Sequence, residues 1–277
     1  MGPRFAGFLY LTSRWLAMVI VVTSWDDGRA TDMKMARLLE KHGLKGTFYV
    51  SSGETRELSK LTFGREGQYD AADLGRRLTA PEVRRLSQIH EVGCHGHSHT
   101  RLNDLDEEQM CNDILQSKRW LEQATGRNVV SFSYPFGSTG DWDARAVKVL
   151  KEHGFTTART SGRFCIRKPQ WPMSIVPTWE AFPRTAPAGP NFLRELLQNL
   201  GADRALVGAV LAGKSWTNQA KVLFKAAQRR NGVFHLWGHS WMVDKLGMWE
   251  ELDGLLKWIG EQESVKAMTV GELWTHQ

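Results

Sequence analysis

The sequence predicts an α/β domain over residues 18–277, with a barrel-like sheet of six or seven mostly parallel strands. Segments typical of buried strands alternate with segments of helical periodicity, an order that favours parallel strands joined by right-handed crossovers. The residues best suited to chemistry follow the predicted strands, as they do in (β/α) barrels. A length of 277 residues and a hydrophobic content of 42% fit one large globular domain.

The predicted strands are short runs rich in β-branched or aromatic residues, which favour extended backbone. The first run continues directly into Thr23-Ser-Trp-Asp-Asp-Gly28, so turn residues mark its carboxyl end. In chain order the strands cover residues 18–25, 46–50, 91–94, 129–134, 155–159, 232–237 and 265–269.

The predicted helices have apolar residues at three- and four-residue spacing and carry recognisable end signals. Glycines stop three of them, at Gly43, Gly126 and Gly154, and Thr79-Ala-Pro-Glu82 is a capping-box start. Residues 51–78 and 160–190 are expected to be irregular. The helices cover residues 32–42, 79–88, 106–125, 141–153, 191–230 (in two or three pieces) and 246–262, with a short one after 269.

The net charge of +6 is concentrated in one predicted helical insertion at about 185–230. Residues 181–231 contain eight basic and two acidic side chains, so the rest of the chain is neutral. We expect this insertion to lie near the mouth of the barrel and to contact an anionic group of the substrate, or a membrane surface. The chain has no basic motif interleaved with aromatic residues, so the sequence does not predict nucleic-acid binding.

The first 17 residues are predicted to be a short extension, and Met18 is a plausible alternative start. Arg14 divides their apolar runs, so neither run is long enough to span a bilayer, and no small-residue cleavage site follows. These features favour a cytoplasmic protein. Three cysteines cannot pair completely, which excludes a disulfide framework.

Five predicted strands end in residues that can carry chemistry. Because the carboxyl ends of parallel strands meet at one end of a barrel, we expect these residues to share one mouth. They are Asp26-Asp27-Gly28, His95-Gly-His-Ser-His99, Pro135-Phe136-Gly137, Arg159 and Gly238-His239.

The pair His95-x3-His99 predicts a metal site, because neutral imidazoles are common ligands and this spacing brings two of them together. Two histidines and one aspartate leave positions open for water and substrate, as in catalytic zinc sites. The same ligands also accept manganese, iron, cobalt or nickel. The alternatives are a packing cluster of histidines and a pair of turn or cap aspartates before Gly28.

These residues resemble the motifs of the polysaccharide deacetylases of the NodB homology type. The resemblance covers roughly residues 19–160 and 231–275. The family motif Thr-Phe-Asp-Asp-Gly is similar to Ser24–Gly28, His-(Ser/Thr)-x-x-His to His95–His99, Arg-Pro-Pro-Tyr-Gly to Ser133–Gly137, and the final strand-end His to His239.

The resemblance implies a distorted (β/α) barrel and a metal-dependent hydrolase that removes an N-acetyl group from an amino sugar or polysaccharide, a carbon–nitrogen bond other than a peptide bond. It implies zinc, or else cobalt, nickel or manganese. It assigns the metal to Asp27, His95 and His99, the general base to Asp26, the general acid to His239 and an oxyanion-stabilising backbone N–H to Phe136.

The chain departs from the family pattern in three places. Ser133 stands where the family has an Arg that orients the catalytic Asp, and Arg159 on a neighbouring strand is the candidate substitute. Phe136 replaces the motif's Tyr, and the fourth motif, an Asp-Trp pair, has no convincing counterpart. The tryptophans that flank the motifs are candidates for sugar stacking or for the site wall: Trp25, Trp237 and Trp241.

Other interpretations stay open. His235 shares a strand face with His239 and rivals it as the acid. Gly238-His-Ser240-Trp-Met242 is close to a serine-nucleophile motif, but Met242 replaces its second Gly. The same metal site could act on another amide or ester, such as an allantoin-like cyclic amide or an acetylated xylan, or the chain could be a catalytically silent sugar-binding module.

Overall fold

A computed structural model describes residues 17–53, 61–62, 68–69, 74–183 and 190–275, and it confirms the predicted barrel-like α/β fold. The extension predicted at 1–17 lies outside these residues except for residue 17. In chain order the strands are β1 (Val19–Trp25), β2 (Thr47–Val50), β3 (Leu61–Thr62), β4 (Gln68–Tyr69), β5 (Glu91–Cys94), β6 (Ser131–Ser133), β7 (Thr157–Arg159), β8 (Trp179–Glu180), β9 (Val233–Gly238) and β10 (Val265–Met268).

The helices surround this sheet and reproduce most of the predicted segments. They are α1 (Asp32–Lys41), α2 (Ala80–Leu86), α3 (Glu107–Thr125), α4 (Ala144–Glu152), α5 (Pro190–Leu200), α6 (Arg204–Leu211), α7 (Trp216–Arg229), α8 (Ser240–Lys245), α9 (Trp249–Gly260) and α10 (Val270–Thr275).

Eight strands form one curled parallel sheet in the order β7-β6-β5-β2-β1-β9-β8, with β10 beside the first half of β1. The expectation of six or seven strands is low by one because β8 lies in a segment predicted to be irregular. Two residues are too short to show a strand period. An isolated parallel bridge between Arg159 and Ile175 brings the two sheet edges together.

Alternation along the strands separates an outer core from a polar interior. Val19, Val21 and Trp25 of β1 face outward into the main apolar cluster under the helices. Val22 belongs to a different, smaller cluster, and Ser24 points inward, where its hydroxyl bonds to His235. Successive strand residues point to opposite faces, so the inward series continues to Asp26 at the strand end.

The helix ends follow their sequence signals, with one exception. Asp106 caps α3 by accepting the Gln109 N–H, and Gly126 ends it in a left-handed conformation. The helix predicted at 246–262 corresponds to α9 alone, and α8, which ends at Lys245, is a short additional helix that was not predicted. Gly247, with φ of 65°, breaks the chain between them, because a left-handed residue cannot continue a right-handed helix.

The predicted basic insertion forms the connection from β8 to β9. Its last helix, α7, packs on the outside of the barrel against β1, β9 and α9. Lys221 and Lys225 lie over the indole of Trp258, each 5.3 Å from the ring centroid, rather than at the barrel mouth.

Among the described residues, no helix is both long enough and apolar enough to cross a membrane. Cys94, Cys111 and Cys165 are free thiols.

Gly28 is a position where the barrel needs a glycine, because it has φ of 66° and a Cβ there would lie 2.6 Å from Val50 Cγ1. We expect Gly28→Ala to lower the free energy of unfolding by about 2–4 kcal/mol, from left-handed strain and overpacking. Gly254, on the exposed side of α9 with no atom within 4 Å of an added Cβ, is the matched control. Gly254→Ala should raise that free energy by up to about 1 kcal/mol. Urea unfolding of both variants measures the difference, and equal effects would contradict it.

Candidate active site

A cavity of about 270 Å³ opens at the carboxyl ends of the strands and gathers most of the predicted site residues. They come from the ends of five strands, β1, β5, β6, β7 and β9, so only the curled sheet brings them together. The predicted residues that line it are Asp26, Asp27, His95, His99, Phe136, Arg159, Trp237 and His239.

Asp27, His95 and His99 form a compact buried group with one ligand atom from each residue within 4.8 Å of the others. His99 Nε2 lies 3.3 Å and His95 Nε2 lies 3.7 Å from Asp27 Oδ1. Two imidazole nitrogens and one carboxylate oxygen are a ligand set that suits zinc and its neighbours in the first transition series.

Neighbouring groups orient two of these residues. The Nδ1 of His95 lies 2.8 Å from the Ser133 carbonyl, which can only accept, so Nδ1 carries the proton and Nε2 keeps its lone pair toward the cluster. The indole of Trp241 donates to Asp27 Oδ2 at 2.7 Å, which leaves Oδ1 for the histidines. Burial lowers the pKa of His95 to about 4, against the opposing charges of Asp26 and Asp27, so this imidazole is neutral at pH 7.

The electrostatics of Asp27 also suit a cation. Burial alone would raise its pKa, but the contact with His99 and the nearby His239 imidazole hold it well below the usual range. Within the described residues, Asp27 Oδ1 and His99 Nδ1 are buried without a hydrogen-bond partner. An ionised carboxylate with an orphaned oxygen beside two imidazoles fits a divalent metal ion.

Asp26 is bound by a buried arginine. Arg159 Nη2 contacts Asp26 Oδ2 and also lies 2.6 Å from Ser133 Oγ, while its Nη1 donates to the Thr160 carbonyl at 2.9 Å. Ser133 and Arg159 are register partners on β6 and β7. The guanidinium therefore reaches across from the neighbouring strand to the side chain at position 133, where the family motif has its arginine.

Aromatic rings hold this guanidinium in place. Its central carbon lies 4.7 Å from the ring centroid of Trp237 and 5.3 Å from that of Tyr49. Arg159 is 1% exposed, so the ion pair with Asp26 is shielded from water. Such shielding strengthens the interaction and fixes the carboxylate's orientation.

His239 lies at the end of β9, where it precedes α8 and faces the cavity. The rival histidine, His235, lies four residues earlier on the same face of the chain, deeper in the barrel, and bonds to Ser24 Oγ at 2.8 Å. Burial and the charge of Arg159 hold the pKa of His235 well below its usual value, and it does not line the cavity. The geometry therefore favours His239 as the residue that can exchange a proton with a bound substrate.

Phe136 has φ of 63°, a left-handed conformation that turns the chain sharply after β6. Its ring packs edge-on against His99, with centroids 4.9 Å apart, and the Arg101 guanidinium covers it at 3.9 Å. Arg101 is paired with Asp141 at 3.0 Å, and both line the cavity. No sequence pattern indicates this pair of residues at the rim of the cavity.

Asp113 of α3 is a supporting residue that sequence patterns do not reveal. Its carboxylate accepts the backbone N–H groups of His97 and Ser98 at 2.8 and 2.9 Å, and the Ser98 hydroxyl at 2.6 Å. A Cβ on Gly96, which has φ of 74°, would lie 2.7 Å from this carboxylate. Asp113 thus fixes the turn that carries His95 and His99.

Asp32 has a similar role behind the other half of the site. It accepts the Ser240 hydroxyl at 2.5 Å and the Arg29 N–H at 3.1 Å, and burial raises its pKa to about 8. Ser240 also contacts Thr31 Oγ1 at 2.7 Å and is fully buried. This hydroxyl therefore serves the packing of α1 against α8, and the geometry does not support a serine nucleophile.

The three predicted aromatic wall residues have different surroundings. Trp237 lines the cavity, whereas Trp241 is buried and acts through its bond to Asp27. Trp25 is fully buried in the outer core and cannot contact a substrate there. Strand alternation explains this correction, because Trp25 precedes the inward-facing Asp26 and so points outward.

The basic segment does not form the cavity wall in the part that the structure describes. None of its residues from 190 to 230 lines the cavity. Its helix α7 serves as an outer helix of the barrel, and the predicted contact of this segment with an anionic group of the substrate stays a prediction.

A family model described as "Polysaccharide deacetylase" matches residues 18–158. No curated protein matches the chain significantly. Among solved structures, one assigned as a polysaccharide deacetylase from Mycobacterium smegmatis aligns with TM-score 0.60 and 13% identity, over 94% of this chain and 90% of that one.

Two further structures are similar. A mutant of BA3943 from Bacillus anthracis, a CE4 family pseudoenzyme with restored enzymatic activity, aligns with TM-score 0.50 and 16% identity over 93% of this chain and 68% of that one. The Streptococcus pyogenes deacetylase PplD, solved with acetate, aligns with TM-score 0.41 and 17% identity over 50% of this chain. The chain spans 55% of the length of PplD. With the motifs gathered at one barrel mouth and the family model covering half of the sequence, the chain belongs to the polysaccharide deacetylase family.

Proposed function

We propose that residues 18–277 form one catalytic domain that hydrolyses the N-acetyl group of an amino sugar, free or within a polysaccharide or glycoconjugate. The observation that carries this proposal is the arrangement around Asp26. A carboxylate oriented by Arg159 stands beside a triad suited to a metal ion, and His239 faces the same cavity. Base, electrophile site and acid are the parts that amide hydrolysis needs.

Asp27, His95 and His99 would hold a divalent metal, zinc first, with cobalt, nickel or manganese as alternatives. When bound, such an ion supplies Lewis acidity, which lowers the pKa of water from about 16 to about 7 and polarises a carbonyl. Trp241, the Ser133 carbonyl and Asp113 keep the three ligands in position before any ion arrives. Ligands held in this way lose little freedom on binding.

Asp26 accepts a proton from the attacking water. Its Oδ2 is engaged by Arg159, and within the described residues its buried Oδ1 has no hydrogen-bond partner, so Oδ1 is the oxygen available for that proton. His95 Nε2 lies 3.9 Å from Asp26 Oδ2, which places the base directly beside the ligand cluster. The proposed base is thus held next to the residues that would bind the metal ion.

Two groups act on the substrate as the carbon–nitrogen bond breaks. The backbone N–H of Phe136, at the left-handed turn after β6, stabilises negative charge on the acetyl oxygen. His239 gives a proton to the departing nitrogen, because an amine leaves poorly as an anion and imidazole transfers protons readily near neutral pH. Trp237 forms the apolar wall next to His239, with ring centroids 5.7 Å apart.

A dedicated acid at His239 favours an amide over an ester as the substrate. An alkoxide leaves more easily than an amide anion, so an ester needs this proton less. Acetylated xylan and a cyclic amide of the allantoin type are the competing substrates for the same site. Acetate release from chito-oligosaccharides and nucleotide N-acetyl sugars, but not from acetylated xylan, would favour the amide substrate over the ester.

Metal binding is the first test. We expect the purified chain to bind about one equivalent of Zn²⁺, and His95→Ala to weaken this affinity by more than about 100-fold, because it removes a ligand rather than a supporting group. His97→Asn is the control, since His97 bonds to Ser52 at 2.9 Å outside the triad. Isothermal titration with Zn²⁺ measures both. Equal affinity in His95→Ala and the wild-type chain would refute the ligand assignment.

Acetate release tests the base. Asp26→Asn keeps the shape of the side chain but cannot accept the proton, so we expect a loss of about 10²–10⁴ in kcat with Zn²⁺ affinity retained. A chelator should abolish wild-type activity and added Zn²⁺ should restore it. Asp104→Asn, at an exposed position, should leave activity unchanged. Full activity of Asp26→Asn on N-acetyl sugars would exclude the proposed mechanism.

Moving the arginine tests how Asp26 is oriented. Arg159→Ser should lower kcat by about 10²-fold or more, because it leaves a buried carboxylate unpaired. Ser133→Arg added to this variant returns a guanidinium from the adjacent strand and should recover part of the activity. Circular dichroism of both variants checks that they fold. If the double variant is no more active than Arg159→Ser, the hypothesis that Arg159 takes the place of the family's arginine at position 133 is wrong.

A further inference from the structure

A second cleft, of about 340 Å³, lies at the opposite end of the barrel from the active-site cavity. Ile166, at its edge, accepts the backbone N–H of Val233, the first residue of β9. His239 follows the other end of the same strand. The cleft and the cavity are therefore separated by the full length of β9.

This cleft is strongly basic. Arg167, Arg204 and Arg230 line it, and among its described lining residues they face one acid, Asp203, which accepts a bond from Arg230. Two further exposed basic residues, Lys168 and Arg229, are their chain neighbours. The excess positive charge predicted for the 185–230 segment is thus partly displayed here, away from the substrate.

Exposed apolar side chains accompany these charges. Trp171 is 74% exposed and lies four residues after Arg167 in the same loop. Ile175, four residues after Trp171, packs in one apolar cluster with Val233, the first residue of β9, so the loop that carries Trp171 reaches the amino end of that strand, where the cleft lies. Met18, 53% exposed, enters β1 beside Gly232, whose carbonyl accepts the Ile20 N–H.

We propose that this end of the barrel binds an anionic lipid surface. Arginines pair with phosphate groups, and an exposed indole partitions into the membrane–water interface. A dissolved polyanion would use the arginines but would have no use for Trp171, and this favours the lipid surface. Bound in this way, the chain presents its active-site mouth to the solution on the side away from the membrane. The inference does not depend on the proposed reaction.

Vesicle sedimentation tests the inference on the whole chain. We expect binding to vesicles of equal parts phosphatidylglycerol and phosphatidylcholine and no binding to phosphatidylcholine alone. The affinity should fall at least tenfold between about 0.1 and about 1 M salt, because the screening length shortens. Arg167→Glu/Arg204→Glu should lower the affinity at least tenfold. Arg119→Glu/Lys151→Glu, with the same change of charge at exposed positions on α3 and α4, should retain it.

Polyphosphate in solution separates the two kinds of partner. Trp171→Ser should weaken vesicle binding severalfold and leave polyphosphate binding unchanged. If Trp171→Ser binds vesicles as the wild-type chain does, the cleft is a site for soluble polyanions and the membrane proposal is overturned. Equal vesicle binding by the two charge-reversed variants, or equal binding to neutral and anionic vesicles, would overturn it as well.

Discussion

The contact between Arg159 and Asp26 is the interaction around which the barrel interior is organised. A buried charge is costly unless it is paired and hydrogen-bonded, so each of these residues is stable inside the barrel because the other is there. Ser133, the Thr160 carbonyl and the ring of Trp237 complete the surroundings of the guanidinium. The closing bridge from Arg159 to Ile175 places the same residue at the junction of the sheet edges. The backbone at residue 159 thus joins the bridge to Ile175, while its side chain orients the proposed base.

Support for the metal-suited triad comes from helices and loops outside the strands that carry it. Asp113 on α3 holds the histidine turn, Trp241 on α8 holds Asp27, and Asp32 on α1 holds Ser240 beside His239. These contacts link the outer helices to the barrel mouth. A site assembled from several strand ends needs such links, because a shift of one loop by an ångström would misplace a ligand.

The two ends of the barrel have different chemistry. The carboxyl ends of the strands carry carboxylates, imidazoles and a narrow cavity, while the amino ends carry exposed arginines and an exposed indole. This separation explains why the net charge of the chain says little about its substrate. With this arrangement, the proposed binding of a membrane surface at the amino ends of the strands leaves the active-site mouth open.

Much of this protein follows from sequence patterns alone. Hydrophobic period and glycine stops predicted the barrel and most elements, and strand-end polar residues predicted which side chains meet, because carboxyl ends of parallel strands converge whatever the loops do. Alternation could also have placed Trp25 outside, since it precedes an inward Asp26.

Tertiary structure alone decided the rest. Arg159 and Ser133 are 26 residues apart in sequence, and Asp113 lies 15 residues from Ser98. Only strand register and helix packing bring such pairs into contact. The two-residue β8 is too short to show a local sequence pattern, and no local pattern indicates that part of the basic segment lies at the amino ends of the strands.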